Sequence, residues 1–244
     1  MRILKKLSES KLEANFLIYL FGKVVSAGVA LLSIPIFIKV FGVERYGQFI
    51  FLYTTFLMII SGSSGWIVQG ILRFYSLEKN KSKIRLESLQ MASNSLCVFV
   101  FVLGIIFVLY KVNLTVVIIA ILALIISVFY SINLAFEQSR INSKKVVVAE
   151  IVRTILFLTI PITFNFIFKS LTELSCLFLG ILISYVCGYL YLTKGRSRIP
   201  YPKFAKSRWN IIFLKYGLPL SIWLVLSPTT NGVDRYVIEI TLGS

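Results

Sequence analysis

The sequence predicts an all-α protein, a polytopic transmembrane helix bundle of about seven helices. Hydrophobic residues make up 57% of the 244 residues and charged residues only 15%, and the mean hydropathy is +0.86. A globular domain of this size needs more polar residues to cover its water-exposed surface. The apolar residues also stand in continuous blocks, and ~20 such residues at ~1.5 Å rise cover a ~30 Å hydrocarbon core. The strands of a transmembrane barrel would alternate in polarity instead.

Each apolar block is long enough to cross a bilayer as a helix, which satisfies its own backbone hydrogen bonds. The blocks lie near 16–38, 48–71, 90–110, 114–135, 146–168, 171–192 and 211–237. We do not expect the first block to be a cleaved signal peptide. It is too long for one, it contains Lys23, and no small-residue cleavage site follows it.

The net charge is +16, and the basic residues that produce it lie mainly between alternate pairs of spans. Lys and Arg are concentrated in the N-terminal segment and in every second loop, namely 73–87, 136–146 and 193–210. Cytoplasmic loops carry the excess of Lys and Arg in membrane proteins, so we predict a cytoplasmic N-terminus. Nucleic acid is not an expected partner, because the basic residues lie between spans rather than on one compact basic fold.

The longest polar loop divides the chain. It carries Pro200 and Pro202 and separates six spans from the seventh. We therefore predict a cytoplasmic N-terminal segment (1–15), a six-helix unit (16–192), a cytoplasmic linker (193–210) and the first helix of a second unit (211–244).

The sequence contains no arrangement of residues that predicts an enzyme. It has no His, and Cys97, Cys176 and Cys187 all fall inside predicted helices without a CxxC pair. We therefore predict no metal site, no cofactor and no disulfide framework. The Gly-Ser-Ser-Gly run at 62–65 lacks the strand–turn–helix context of a nucleotide-binding loop.

Three basic residues in or beside the spans are candidate cavity-lining cations: Lys23, Arg73 and Arg153. A charge at membrane depth costs ~2.5–3.5 kcal/mol on insertion scales, so it usually has a partner or a function. Each has an alternative interpretation. Lys23 can extend its stem back to the headgroups, and Arg73 can be a simple topology charge. Arg153 can form an i,i+3 ion pair with Glu150 on its own helix.

Glu150, Asn231 and Asp234 are candidate gating or ion-coupling residues. The seventh span contains Pro219, and a proline inside a helix removes a backbone hydrogen bond and kinks it. Asn231 and Asp234 follow on one face, and a kinked helix with a polar face suits a moving gate. The alternative is a packing kink, with Asp234 and Arg235 already at the outer headgroups.

Short motifs at both ends of the chain resemble one family. They are PIFIKVFGVERYGQF at 35–49, YGLPL at 216–220 and NGVDRYVI at 231–238. In these the chain resembles the Wzx-type polysaccharide flippases, the O-antigen and capsule repeat-unit exporters of the MOP (MATE-like) superfamily, from about Asn15 to Gly243. The positions that match the family's recurrent residues, most of which we interpret as fold-forming, are Pro35, Gly42, Tyr46, Gly47, Pro219, Asp234 and Arg235.

The resemblance implies a two-lobed transporter in the bacterial inner (plasma) membrane. It implies that undecaprenyl-diphosphate-linked oligosaccharide repeat units cross that membrane by alternating access, for surface polysaccharide biosynthesis. The implied partners are this lipid-linked substrate, membrane lipids and other polysaccharide-assembly proteins. Family members are longer, so we expect this chain to supply the N-lobe and the first helix of a truncated C-lobe.

Other functions stay open. A MATE-like cation or drug antiporter would bind organic cations with buried carboxylates, whereas basic residues outnumber acidic ones in these spans. A membrane-embedded glycosyltransferase or polymerase would need sizeable outward loops, and these loops are short. A truncated fragment that transports nothing is the third alternative.

Overall fold

Helices form all the regular structure in the part of the chain that the structure describes. It is a computed structural model, and it describes residues 2–168, 172–194 and 208–230. The helices are α1 (Arg2–Phe41), α2 (Val43–Phe74), α3 (Lys81–Leu109), α4 (Leu114–Ser139), α5 (Ser143–Ile167), α6 (Glu173–Thr193) and α7 (Arg208–Thr230).

Six of these helices, α1 to α6, are long and apolar enough to cross a membrane. The predicted fold class, an all-α polytopic transmembrane bundle, is thereby confirmed. Two details differ from the prediction. α1 begins at Arg2, so the segment predicted to precede the first span continues that helix. α7 is helical from Arg208 to Thr230 but is not among the six, and the rest of the predicted span 211–237 lies outside the described residues.

Contacts at the helix ends show that α2, α4 and α6 run in the same direction, so the helices between them run in the opposite direction. At one end, Arg140 after α4 donates hydrogen bonds to the Tyr75 hydroxyl after α2. At the other end, Arg45 in the first turn of α2 lies 3.6 Å from Glu173, the first residue of α6. We call the first the basic end, because it collects most Lys and Arg of the described loops, and the second the opposite end. Such alternation is required of a chain that threads a bilayer repeatedly.

Most of the packing joins helices that are not consecutive in the chain, and α5 with α6 is the main exception. α1 packs on α5, α6 packs between α4 and α5, and α2 contacts both α4 and α7. Small residues allow several of these approaches. A Cβ on Gly188 of α6 would lie 2.7 Å from the Tyr130 ring of α4, and one on Gly180 would overlap Pro161 of α5.

α7 lies against α2 through two glycines. A Cβ on Gly70 of α2 would lie 2.5 Å from the Phe213 ring, and one on Gly217 of α7 would overlap the backbone carbonyl of Trp66. Phe74 extends the contact by stacking on Phe213 at 6.2 Å. Small residues of this kind let helix backbones approach closely in membranes.

The residues of the first family-like motif lie at the connection between α1 and α2. Gly42 alone separates the two helices and has a φ of 81°, a left-handed conformation that glycine adopts without cost. Tyr46 packs its ring 6.2 Å from that of Phe37. Pro35 lies inside α1 and is exposed, as is Gly47 of α2.

The second and third motifs are only partly described. Pro219 lies inside α7 and is exposed. Asn231, Asp234 and Arg235 lie outside the described residues, as do residues 195–207 of the predicted linker.

Candidate polar site in the membrane bundle

An ion pair joins α1 to α5 within their membrane spans. Gly22 of α1 lies so close to Val147 of α5 that a Cβ on it would be 2.5 Å from a valine methyl group. One residue further along α1, Lys23 Nζ donates to Glu150 Oε1 at 2.9 Å. The Glu150 residue is only 8% exposed. The suggested i,i+3 pair of Glu150 with Arg153 is therefore replaced by a pair between two helices.

Arg153 lies one turn further along α5 among tyrosines. Its guanidinium carbon is 5.1 Å from the centre of the Tyr185 ring, in a cation–π contact. Tyr130 of α4 packs edge-on against Tyr185 at 5.4 Å. Tyr53 of α2 is also within electrostatic reach of the guanidinium. Arg153 forms no hydrogen bond or ion pair with any described residue, and the Tyr130 hydroxyl is near it but outside hydrogen-bonding geometry.

We call Lys23, Glu150, Arg153, Tyr130 and Tyr185 the polar cluster. Glu150 and Arg153 lie seven and ten residues into α5, which places them roughly 10 and 15 Å from the basic end at helical rise. Tyr130 lies roughly 14 Å before the end of α4 by the same measure. The cluster therefore occupies the half of the bundle next to the basic end, well inside the spans.

Several buried polar atoms in this region have no hydrogen-bond partner among the described residues. They are Glu150 Oε2, Ser26 Oγ, and the hydroxyls of Tyr130 and Tyr189. An unpaired buried polar group costs ~1–3 kcal/mol and is rare in folded proteins. So many of them in one region indicate a site that can accept a polar ligand or water.

The other half of the bundle is lined by aromatic rings instead. Phe49 stacks on Tyr53 at 5.4 Å, and Phe178 packs edge-on against Phe49 at 5.8 Å. Phe157 of α5 stacks on Tyr53 at 5.9 Å. We call the aromatic cluster Phe37, Tyr46, Phe49, Tyr53, Phe56, Phe107, Phe157 and Phe178, whose rings contact one another. Tyr53 connects it to the polar cluster.

A separate charged network closes the basic end. Glu137 of α4 accepts from Lys145 Nζ at 2.9 Å on one oxygen and from Asn142 Nδ2 at 3.0 Å on the other. Arg140 lies 3.8 Å from Glu137 and donates two hydrogen bonds, at 2.7 and 3.0 Å, to the Tyr75 hydroxyl. This network ties the α2–α3 connection to the α4–α5 turn. Both carboxylate oxygens of Glu137 and the Tyr75 hydroxyl are bonded, which distinguishes this network from the polar cluster.

The structure brings together two of the three predicted cations. Lys23 and Arg153 both flank Glu150. Arg73 is exposed in the last turn of α2, roughly 30 Å along that helix from Tyr53, and lies away from the cluster. Asn231 and Asp234 are not described, so the predicted gate in α7 is not part of this geometry.

The tyrosines of the site were not singled out from the sequence. Tyr185 and Tyr189 are four residues apart, which places them on one face of α6. Tyr130 lies at a similar distance from the basic end. The signal in the sequence is that tyrosines occur at the same depth in α4 and α6. Whether these tyrosines meet depends on which faces of the two helices are neighbours.

The fold and this cluster define a class of protein: a multi-pass α-helical membrane protein that holds charged side chains inside its bundle. No group of three or more potential metal ligands lies together in the described residues. Comparison with protein-family models, curated proteins and solved structures found no match to this chain.

Proposed function

We propose that this chain is the N-terminal part of a transporter for an anionic, lipid-linked substrate. The substrate is an undecaprenyl-diphosphate-linked oligosaccharide, carried across the bacterial inner membrane by alternating access for surface polysaccharide biosynthesis. One observation carries the proposal. Lys23 and Arg153, two cations at membrane depth, converge beside a single carboxylate and leave net positive charge inside the bundle.

The chemistry of these cations suits a diphosphate headgroup. A diphosphate cannot cross hydrocarbon without a replacement for its hydration shell. Lys and Arg supply charge-assisted hydrogen bonds, and the arginine fork binds phosphate oxygens in pairs. The hydroxyls of Tyr130 and Tyr189 are buried and available as further donors to phosphate or sugar oxygens. No covalent bond is made or broken, so the proposed role is transport rather than catalysis.

The proposal includes an orientation and a place in a larger assembly. The Lys and Arg excess at one end supports a cytoplasmic basic end and a cytoplasmic N-terminus. The six helices α1 to α6 serve as the N-lobe, residues 193–210 as the linker, and α7 as the first helix of a second lobe. The prenyl tail stays in lipid while the headgroup moves past the polar cluster. Membrane lipids and other polysaccharide-assembly proteins are the proposed partners.

Reconstitution tests this function. The gene product that contains this chain is placed in proteoliposomes with a fluorescent prenyl-diphosphate-linked oligosaccharide. The readout is the fraction of label that a membrane-impermeant quencher reaches over time. Protein-dependent movement between leaflets is expected. Transport of an organic cation such as ethidium instead would favour the antiporter, and transport of neither would favour a fragment that transports nothing.

A further inference from the structure

We propose that Glu150 is a built-in counter-ion for Lys23, and that a diphosphate group displaces it when the substrate binds. This inference rests on the proposed function and adds how the same site releases its substrate. In the structure the lysine is paired with the carboxylate. In the bound state the lysine pairs with phosphate oxygen, while Arg153 contributes the second cation.

The two partners of this ion pair differ in their freedom to move. The Lys23 side chain is 49% exposed and the Glu150 side chain only 11%. Lysine has a flexible four-carbon stem and three donors, and here one hydrogen bond to a carboxylate is formed. Glu150 has a shorter side chain than Lys23 and is buried, with its bond to Lys23 of α1. Lys23 therefore exchanges its carboxylate partner for a phosphate oxygen by moving its own side chain, while the Glu150 carboxylate stays in place.

The hydrogen bonding of Glu150 is incomplete. Lys23 binds Oε1, whereas Oε2 is buried without a partner among the described residues. Glu137 at the basic end is the counterexample in the same chain, because both of its oxygens are bonded. A buried carboxylate with one unsatisfied oxygen is poorly stabilised. We interpret Glu137 as a structural anchor and Glu150 as a partner that can be replaced.

Arg153 is the cation that is already open to an anion. It rests on the Tyr185 ring and forms no ion pair with a described residue, and the nearby Tyr130 hydroxyl lies outside hydrogen-bonding geometry. A guanidinium has five N–H donors in a fixed fork. The stacking on Tyr185 holds its orientation without using those donors. A diphosphate that binds here meets one preoriented cation and draws the second, Lys23, away from Glu150.

The remaining negative charge of Glu150 then limits affinity. Once Lys23 has turned to the phosphate, Glu150 repels the same group across a site of low dielectric constant. A carrier must release its substrate as well as bind it, and a substrate that binds both states of the carrier equally tightly does not shift the population between them. Glu150 thus competes for Lys23 and favours release.

Binding of farnesyl diphosphate to the purified gene product that contains this chain, in detergent micelles, tests the competition. We expect Glu150→Gln to tighten binding about tenfold, the equivalent of one lost competing contact of ~1.4 kcal/mol. In the double variant Lys23→Gln/Glu150→Gln, which has no charge at either position, the gain in affinity for farnesyl diphosphate is expected to disappear. Glu137→Gln is the matched control, because it removes a carboxylate that bonds a lysine at the same 2.9 Å outside the site. Its affinity should equal that of the wild type. Inorganic diphosphate in a parallel titration shows whether the headgroup alone suffices.

The outcomes separate this inference from the proposed function. If the wild type binds farnesyl diphosphate and Glu150→Gln binds it with equal or lower affinity, the counter-ion role is overturned. The proposed substrate class is not affected by that result. A gain that persists without Lys23 also overturns it. No binding of either diphosphate to the wild type overturns the substrate class, and the inference with it.

Amine labelling of the wild-type protein provides a test that needs no variant. Saturating farnesyl diphosphate should lower the reaction of Lys23 with an acylating reagent, read by mass spectrometry, because phosphate then covers the amine. Lys145, held by Glu137, is the internal reference and should react equally with and without ligand. Unchanged labelling of Lys23 would show that its partner is not replaced.

Discussion

The two halves of the bundle are stabilised in different ways. In the half toward the opposite end, rings of the aromatic cluster pack edge-on or stacked, and Phe49, Phe56 and Phe178 are almost completely buried. In the half toward the basic end, the polar cluster holds a half-bonded carboxylate and a guanidinium without hydrogen bonds to described residues. The first half is packed for stability. The second keeps unused hydrogen-bonding capacity, which is typical of a binding site.

Two residues connect the halves. Phe157 follows Arg153 by four positions on α5, so the change from charge to aromatic packing takes place within one helical turn. Tyr53 stacks on Phe157 and is within electrostatic reach of Arg153. A substitution in one half should therefore affect mainly the property that this half provides. Three of the following four experiments test this division, and one tests the contact between α2 and α7.

The largest effect is expected from removing a ring of the aromatic cluster. Phe178→Ala should lower the free energy of unfolding by ~3–5 kcal/mol, because it leaves a cavity among Phe49, Phe56 and Phe107. Equilibrium unfolding of the purified protein in mixed micelles measures it. A loss below ~1 kcal/mol would mean that the cluster relaxes to fill the space and does not dominate stability.

Removal of the central cation should affect transport rather than stability. Arg153→Ala should lower the flipping rate roughly 10- to 100-fold, since a charge-assisted hydrogen bond contributes ~1.5–3 kcal/mol. Membrane insertion should be unchanged. Lys23→Ala should act in the same direction. The control is Arg45→Ala, which removes an exposed arginine at the opposite end. Equal flipping by the Arg153 and Lys23 variants and the wild type would remove both residues from the site.

An intermediate effect is expected where α7 meets α2. Gly217→Ala places a methyl group against the Trp66 carbonyl and should destabilise the protein by ~1–3 kcal/mol. Gly104→Ala in α3 is the matched control, because its Cβ would meet no atom within 4 Å. Thermal unfolding in detergent compares the two. Equal midpoints would show that the two helices do not approach as closely as described.

The smallest effect is expected from removing a buried tyrosine hydroxyl that has no partner, in comparison with one that is bonded. Tyr189→Phe removes a hydroxyl without a hydrogen-bond partner in the described residues, so the unfolding free energy should change by less than ~0.5 kcal/mol. Tyr75→Phe removes the acceptor of two arginine hydrogen bonds and should cost ~1.5–3 kcal/mol. A similar cost for both would mean that the Tyr189 hydroxyl is bonded, and that this part of the site has no unused capacity.

The sequence predicts the fold class and the depth of the charges, but not which helix faces meet. The apolar blocks correctly predict six membrane spans, and Gly42 marks the turn between the first two. Lys23, Glu150 and Arg153 are identifiable because charges inside apolar runs are conspicuous. The Lys23–Glu150 pair is not predictable, since it depends on the packing of α1 against α5 through Gly22 and Val147.

The tyrosines of the polar cluster were missed for the same physical reason. Position along a span follows from counting residues, because the rise of a helix is constant. Rotation about the helix axis is set by packing between helices, and uniformly apolar spans give little information about it. Tyr130 and Tyr185 are therefore recognised as one site only when α4 and α6 are seen to pack together. The function predicted from the resemblance stays a prediction.

The contact between α2 and α7 also affects how the protein is made. Gly70 and Phe213 meet in the folded protein, yet about 140 residues separate them, on the order of ten seconds or more of synthesis at ~5–20 residues per second. During that time the face of α2 that carries Gly70 is in the membrane without its final neighbour. Lipid or another transient companion has to occupy it, and its late exchange for α7 makes the emergence of the last described helix a distinct step in assembly.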